Sequence, residues 1–328
     1  MLSIIKKIFW SVFSLIIILL VWLLLTWFLP VGDKKEYIVV IDKGDGPKTV
    51  AKKLSASGLE FNSYIFSLLT KYKKVEQKIK IGEYKFVGPI SMWRVVDQLS
   101  KTQSTEIKIT LIEGWSARQV AQYLENNGLF KQEEFLSYVN NPPQELYDKY
   151  KFLEQGKSLE GYLFPDTYFV FKTITIQELV DLLLKTFERK VGEEYEANVD
   201  DFYNILKLAS IVQDEVANTK DMAMVADIFL KRLKQGMPLQ SDATVNYITG
   251  KGMASPLISD TQIENPYNTY RNVGLPPTPI SNPGIQAIKA VINPIDNPYF
   301  FFLTTKEGVT IFSKNFDEHL FNKNKYLK

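Results

Sequence analysis

The sequence predicts an α+β protein with an N-terminal transmembrane helix, a small β-αα-β module and a larger mixed α/β domain. Three observations predict it. Ile8 to Leu29 is a run of 22 residues without a charge. A β-α-α pattern occurs twice between residues 37 and 140. Beyond residue 156, helices with apolar stripes alternate with aromatic segments punctuated by Gly and Pro. The expected boundaries are 1–31 for a cytoplasmic stub and transmembrane anchor, 36–106 for the first module, 107–155 for the second, and 156–328 for the mixed domain.

The apolar run, at about 1.5 Å per residue, reaches roughly 33 Å, enough to cross a bilayer core. Trp10 and Trp27 lie near its ends, where indole rings favour the interface. Lys6 and Lys7 precede it and favour a cytoplasmic N-terminus, although Lys34 and Lys35 weaken the asymmetry. The competing reading is a cleaved signal peptide. The run is long for that, and Phe28-Leu-Pro-Val-Gly32 is a poor cleavage site. The expectation is a single-pass anchor in the cytoplasmic membrane, with the remainder on its outer face.

Gly44, Val50, Ala51, Leu54, Gly58 and Leu59 recur 70 positions later as Gly114, Val120, Ala121, Leu124, Gly128 and Leu129. Each copy opens with a strand pattern, Tyr37–Ile41 or Ile107–Ile112. A Gly-bearing turn follows, then a helix ending at Gly58 or Gly128 and a second helix from about Asn62 or Gln132. An alternating strand, Ile79–Phe86, and a helix near Ser91–Leu99 complete the first module. This β-αα-β order resembles the LysM-like modules that hold glycan chains; the alternative is a spacer without a ligand.

Lys157–Tyr168 is aromatic and Gly/Pro-punctuated, which excludes a simple helix. Ile176–Lys190 is amphipathic, and a further helix is expected from about Asp200 to Ala217. The next starts at Asp221 as N-cap and stops at Gly236. Residues 237–283 read as one long irregular region, with six Pro between Pro238 and Pro279. Tyr299–Leu303 and Gly308–Phe312 form a closing hairpin pattern.

Composition removes most chemistries. There is no Cys and one His, His319, so disulfides, thiolate metal sites and multi-His metal sites are excluded. No G-x-x-x-x-G-K-[ST] or G-x-G-x-x-G occurs. The expectation is an enzyme with no metal and no cofactor. Beyond residue 32, with Lys6 and Lys7 set aside, 37 basic residues face 37 acidic ones, which argues against nucleic acid as a partner.

Glu215 is the strongest catalytic candidate. At about 100° per residue from Ile205, the residues Leu208, Ala209, Val212 and Val216 form an apolar face. Glu215 falls on its flank, while Asp214 faces solvent. Partial burial and a helix C-terminus both raise a carboxyl pKa, as a general acid requires. The competing reading is an ion pair with Lys220 or Lys207.

The strings themselves resemble the endolytic murein transglycosylases of the YceG-like family (MltG). They include Leu159-Glu-Gly-Tyr-Leu-Phe-Pro-Asp-Thr-Tyr168, Ala209-Ser-Ile-Val-Gln-Asp-Glu215, Met237-Pro-Leu-Gln-Ser-Asp-Ala-Thr-Val245, Tyr267-Asn-Thr-Tyr270 and Ser281-Asn-Pro-Gly284. The family pattern often carries two Glu in the second string; here the first is Gln213. The resemblance implies that Glu215 is catalytic and that the MurNAc–GlcNAc bond of peptidoglycan is cleaved without water, leaving 1,6-anhydro-MurNAc ends. It also implies substrate-binding roles for Asp242, Asn268, Tyr270 and Glu160, although turn and loop capping explain Asp242 and Asn268 equally well. Tyr247, Tyr267 and Tyr270 either stack on sugars or pack the loop, and His319 has a structural or peptide-contacting role. Peptidoglycan synthases of the penicillin-binding class are the implied protein partners. The alternatives are a hydrolase pairing Glu215 with Asp242 or Asp221, and a glycan-binding scaffold without activity.

Overall fold

The computed structural model describes residues 2–42, 44–79, 81–101, 106–192, 201–252 and 256–327. Asp200 and Lys80, inside two expected elements, lie outside them. The chain divides into two compact units, Met1–Lys108 with Phe169–Thr173, and Ile109–Tyr168 with Ile174–Lys328. The architecture is mixed α and β, as the sequence predicts, with its strands in two-stranded sheets.

The first unit opens with α1 (Leu2–Phe28), in which Ile8–Phe28 has a mean hydropathy of 2.9 and is long and apolar enough to cross a membrane. β1 (Pro30–Val31) follows, then β2 (Glu36–Ile41). Tyr37, Val39 and Ile41 point inward by strand alternation, and Ile38 and Val40 outward. Next come α2 (Pro47–Ala56) and α3 (Ser63–Tyr72), the latter capped by Asn62, whose side chain accepts the Tyr64 and Ile65 N–H groups. β3 (Gly82–Val87) pairs antiparallel with β2, matching Tyr37 to Phe86 and Val39 to Tyr84. β4 (Ile90–Ser91) pairs with β1, and α4 (Met92–Lys101) completes the unit. Val50, Leu54, Phe66, Leu69, Val95 and Leu99 fill the core.

Trp27 departs from its expected place at a lipid interface. It is only 7% exposed and packs against Tyr72 and Trp93, because the last turns of α1 contribute to this core.

β5 (Glu106–Thr110) and β6 (Thr167–Phe171) form a further sheet. The second unit repeats the helix pair as α5 (Ala117–Asn126) and α6 (Gln132–Asn140), with Val120, Ala121 and Leu124 buried like Val50, Ala51 and Leu54. Ser116 and Gln119 close a capping box on α5. α7 (Gln144–Lys149) leads into the Leu159–Tyr168 string, and α8 (Ile176–Phe187) ends in a π turn, Glu188–Gly192. The core is built by α9 (Phe202–Glu215), α10 (Thr219–Lys234) and α12 (Ile285–Ile292), which pack on one another and bury Leu208, Ile211, Val225, Phe229, Ile288 and Val291.

Three local expectations are corrected. α10 is capped by Asn218, whose side chain accepts the Lys220 and Asp221 N–H groups, so Asp221 lies in the first turn. Residues 237–283 are not wholly irregular: α11 (Asp242–Thr249) runs from Ser241 to Gly250, where φ is +67°. Its β-branched residues hid it, while its termini carry ordinary start and stop residues. Beyond the hairpin of β7 (Phe301–Thr304) and β8 (Thr310–Ser313), the chain closes with α13 (Phe316–Tyr326), capped by Asn315. Its apolar residues form no continuous stripe, so periodicity did not find it.

Candidate active site

Glu215 is the last residue of α9 and faces the N-terminus of α11 in a cleft of about 870 Å³ in the second unit. α11 lies along this cleft and contributes Asp242, Ala243, Asn246 and Tyr247. Ser241 is the N-cap residue of α11 but makes no cap hydrogen bond with its side chain. Its hydroxyl instead donates to Glu215 Oε1 at 2.5 Å, and the Ala243 N–H also donates to Glu215. The Glu215 carboxyl therefore supplies from another helix the acceptor that α11 needs at its first turn.

Burial pushes Glu215 up to about 7, with the Asp242 carboxyl adding to the rise and the two donors and the Arg232 guanidinium opposing it. Its position at the C-terminus of α9 works in the same direction as burial. No salt bridge reaches Glu215 among the described residues; Lys207 instead stands over the Tyr203 ring at 5.0 Å. The ion-pair reading therefore lacks its cation.

Asp242 and Tyr270 are brought together beside Glu215, with Tyr270 Oη donating to Asp242 Oδ1 at 2.5 Å, and both line the cleft. Burial raises the Asp242 carboxyl, while Tyr270 and Lys323 lower it. Asn268 and Glu160 lie behind the cleft wall. Asn268 is fully buried and donates to the Thr261 and Ile263 carbonyls, fixing the loop that carries Tyr270. Glu160, 4% exposed, accepts from the Ala117 N–H at 2.8 Å, from Asn282 Nδ2 at 3.2 Å and from Tyr247 Oη at 3.3 Å. Burial pushes it to about 7 against these donors. It ties α5, α11 and the Ser281–Gly284 string together. Asp221 does not line the cleft.

Sequence reasoning missed Ser241, Arg232 and the placement of Asp214. Ser241 sits inside a quoted string but reads as an ordinary cap. Arg232 belongs to a basic last turn that suggests only helix-dipole pairing, yet its guanidinium is buried, donating to the Phe300 and Leu239 carbonyls at 2.9 and 2.8 Å. Asp214 is exposed, as its helical angle predicts, but towards the cleft rather than open solvent. The surrounding protein pushes its carboxyl up, Ser281 opposes this as a hydrogen-bond partner, and Glu215 and Glu160 add to the rise. His319 also lines the cleft, with its ring stacked on Phe301 at 5.5 Å.

Fold and cleft together define an α+β protein whose cleft is lined by Asp214, Glu215 and Asp242, with Glu215 held between two helix ends. The chain belongs to the YceG-like family, whose sequence profile matches residues 39–325. It is 31% identical over 321 residues to an endolytic murein transglycosylase of Streptococcus pneumoniae serotype 2, covering 88% of this chain and 58% of that protein. It is 28% identical over 311 residues to the endolytic murein transglycosylase of Bacillus subtilis, covering 90% and 86%. The chain thus spans a little over half the length of the pneumococcal relative. A crystal structure of a YceG-like protein from Listeria monocytogenes superposes with a TM-score of 0.60 at 28% identity, covering 89% of this chain and 100% of the other.

Proposed function

We propose that the chain is an endolytic lytic transglycosylase, anchored in the cytoplasmic membrane by α1, that cleaves MurNAc–GlcNAc bonds within peptidoglycan strands. The observation that carries the reading is the Glu215 carboxyl, half-buried in a cleft, with its pKa raised to about 7 and no salt bridge to it among the described residues. The names of the similar proteins support the substrate.

Glu215 begins protonated and gives its proton to the glycosidic oxygen as the C1–O bond breaks. The substrate's 2-acetamido oxygen stabilises the cation developing at C1. The Glu215 carboxylate, held by Ser241 and Ala243, then takes the proton of the C6 hydroxyl, whose oxygen closes on C1. The product is a 1,6-anhydro-MurNAc end, no water is consumed, and Glu215 returns to its starting state. Unlike a common glycosidase, this route needs no second carboxylate. Asp242 with Tyr270 lies beside the acid and would raise it and orient sugar hydroxyls. In the first unit, the order β2-α2-α3-β3 fits a LysM-like glycan-holding module. Peptidoglycan synthases are the partners such an activity would serve.

The cleft also holds Asp214 and Asp242, which makes a hydrolase the second reading. Digestion of purified glycan strands by the full-length protein decides between them. Mass spectrometry is expected to show anhydro ends and none from the Glu215→Gln variant. Reducing MurNAc ends would establish the hydrolase, and cleavage surviving in Glu215→Gln would remove Glu215 from the mechanism.

A further inference from the structure

The last turns of α1 do not have the surroundings of a free membrane anchor. Ile8–Phe28 is 21 residues long, about 31 Å of helix and close to the thickness of a hydrocarbon core. Its C-terminal end, however, belongs to the fold of the first unit. Leu23 packs against that unit's core. Trp27 is 7% exposed, with its ring 5.5 Å from Tyr72, and Phe28 stacks on Trp93 at 5.0 Å. Ile8 to Trp22 is clear of these contacts, roughly 22 Å of helix and short of the hydrocarbon core, while beyond it Leu24, Leu25 and Phe28 stay about half exposed on one side. A span this short is accommodated when its flanking residues enter the interface.

The flanking surface has the composition for that position. α3 exposes Tyr64 (72%), Leu68 (49%) and Tyr72 (66%), spaced i, i+4 and i+8 on one face. Tyr72 joins this stripe to the end of α1, where Phe28 and Leu29 are also exposed. A cation accompanies the stripe: Lys48 is exposed, with its Nζ 4.6 Å from the Tyr64 ring centre. Amphipathic rings beside an exposed lysine suit the headgroup layer, where the ring meets acyl chains and the ammonium meets phosphate.

We infer that the first unit is seated on the lipid bilayer through the Tyr64–Leu68–Tyr72 face of α3, continuous with the end of α1. The occupant of this face is the bilayer from which α1 emerges. The inference rests on α1 being a membrane span. It goes further in making the first unit a peripheral membrane element rather than a body on a free tether.

Because the chain has no Cys, one introduced thiol labels one position. Leu68→Cys, Ile17→Cys and Lys85→Cys of the full-length protein would each carry an environment-sensitive fluorophore. Each is reconstituted in phosphatidylethanolamine/phosphatidylglycerol vesicles containing nitroxide lipids. Position 17 tests the span, and Lys85, exposed on β3, supplies the reference. Shallow nitroxides are expected to quench position 68 at least about two-fold more than position 85, and deep nitroxides to quench position 17. Quenching at 17 with position 68 no different from 85 would overturn the inference while leaving the span intact. Loss of quenching at 17 would remove both. A blue-shifted label at 68 that lipid nitroxides do not quench would mean that a second copy of the protein covers the face, and would also overturn it.

Discussion

Ser241→Ala isolates the electrostatic balance at Glu215. Two donors hold the carboxylate, the Ser241 hydroxyl and the Ala243 N–H, against the rise caused by burial. A hydrogen bond to a charged group contributes about 1.5–3 kcal/mol. Glu215 keeps some contact with water, so the lower end applies, which corresponds to about one pKa unit. The wild-type carboxyl stands at about 7, and the variant's is expected near 8. The sign follows from the donor: Ser241 stabilises the charged form, so its loss favours the protonated one. Since the reaction starts from protonated Glu215, the descending limb of kcat/KM against pH moves up by about one unit. The rate at the optimum falls up to about ten-fold, because the carboxylate formed by the first proton transfer loses a donor. α11 remains folded, since the Ser241 side chain makes no cap bond to it. The assay is the yield of anhydro-ended fragments by liquid chromatography and mass spectrometry between about pH 5 and about pH 9, with circular dichroism as the control for folding. A limb that stays in place or moves down in a folded variant refutes the assigned balance.

Glu215→Gln is expected to abolish cleavage while stabilising the fold at high pH. Burial raises the native carboxyl from 4.5 to about 7, so wild type loses stability as pH rises through that window, up to about 3 kcal/mol. The Gln variant escapes this loss, so its advantage in urea unfolding is absent near pH 4 and complete near pH 8; an equal advantage at both would contradict the shift. Glu160→Gln should show the same pH dependence, with an acceptor still available to Ala117 N–H, and kcat lowered through loosening of Tyr247 rather than abolished. Gly114→Ala should lower the thermal midpoint and kcat/KM together. Gly114 has φ +82°, and its Cβ would lie 2.6 Å from Asp214 Oδ1, a strain of about 1–3 kcal/mol. An unchanged melting curve would show that Asp214 is not held against this turn.

The parts of the fold that could be read from sequence are those in which local pattern and burial agree. The repeat shows this: Val50, Ala51 and Leu54 and their counterparts Val120, Ala121 and Leu124 are all buried on helices of equal length. The strand expected over Tyr37–Ile41 is likewise found as β2, and the structure adds that Tyr37, Val39 and Ile41 face inward. What escaped was governed by tertiary contacts. α11 is rich in β-branched residues and is held at its N-terminus by a carboxyl from α9, which no local window contains. α13 has no continuous apolar stripe of its own and is placed by packing on the hairpin. At the site, one helical angle separated Glu215 from Asp214 but could not show that the exposed side of α9 faces a cleft. Resemblance to family strings named Asn268 and Glu160 without distinguishing cleft-lining residues from those that hold the wall in place.

The two copies of the repeat differ in what they contribute to that wall. The copies share the length of the first helix, buried positions and left-handed Gly turns, with φ +94° at Gly44 and +82° at Gly114. Their surroundings differ. In the second copy, the Gly114 N–H donates to the Asn282 carbonyl, and the Trp115 carbonyl accepts from the Asn282 backbone and side chain. The Ala117 N–H donates to buried Glu160, which also accepts from Tyr247 on α11. Ser116, Arg118 and Gln119 consequently line the cleft. In the first copy, the exposed helix face carries tyrosines and a leucine instead. The copies therefore differ in what the helix N-terminus and outer face touch, while the buried positions that define the β-α-α unit are alike. Glu160 is the residue through which that difference reaches the acid's neighbourhood: it couples the second copy to α11, whose N-terminus holds the carboxyl of Glu215.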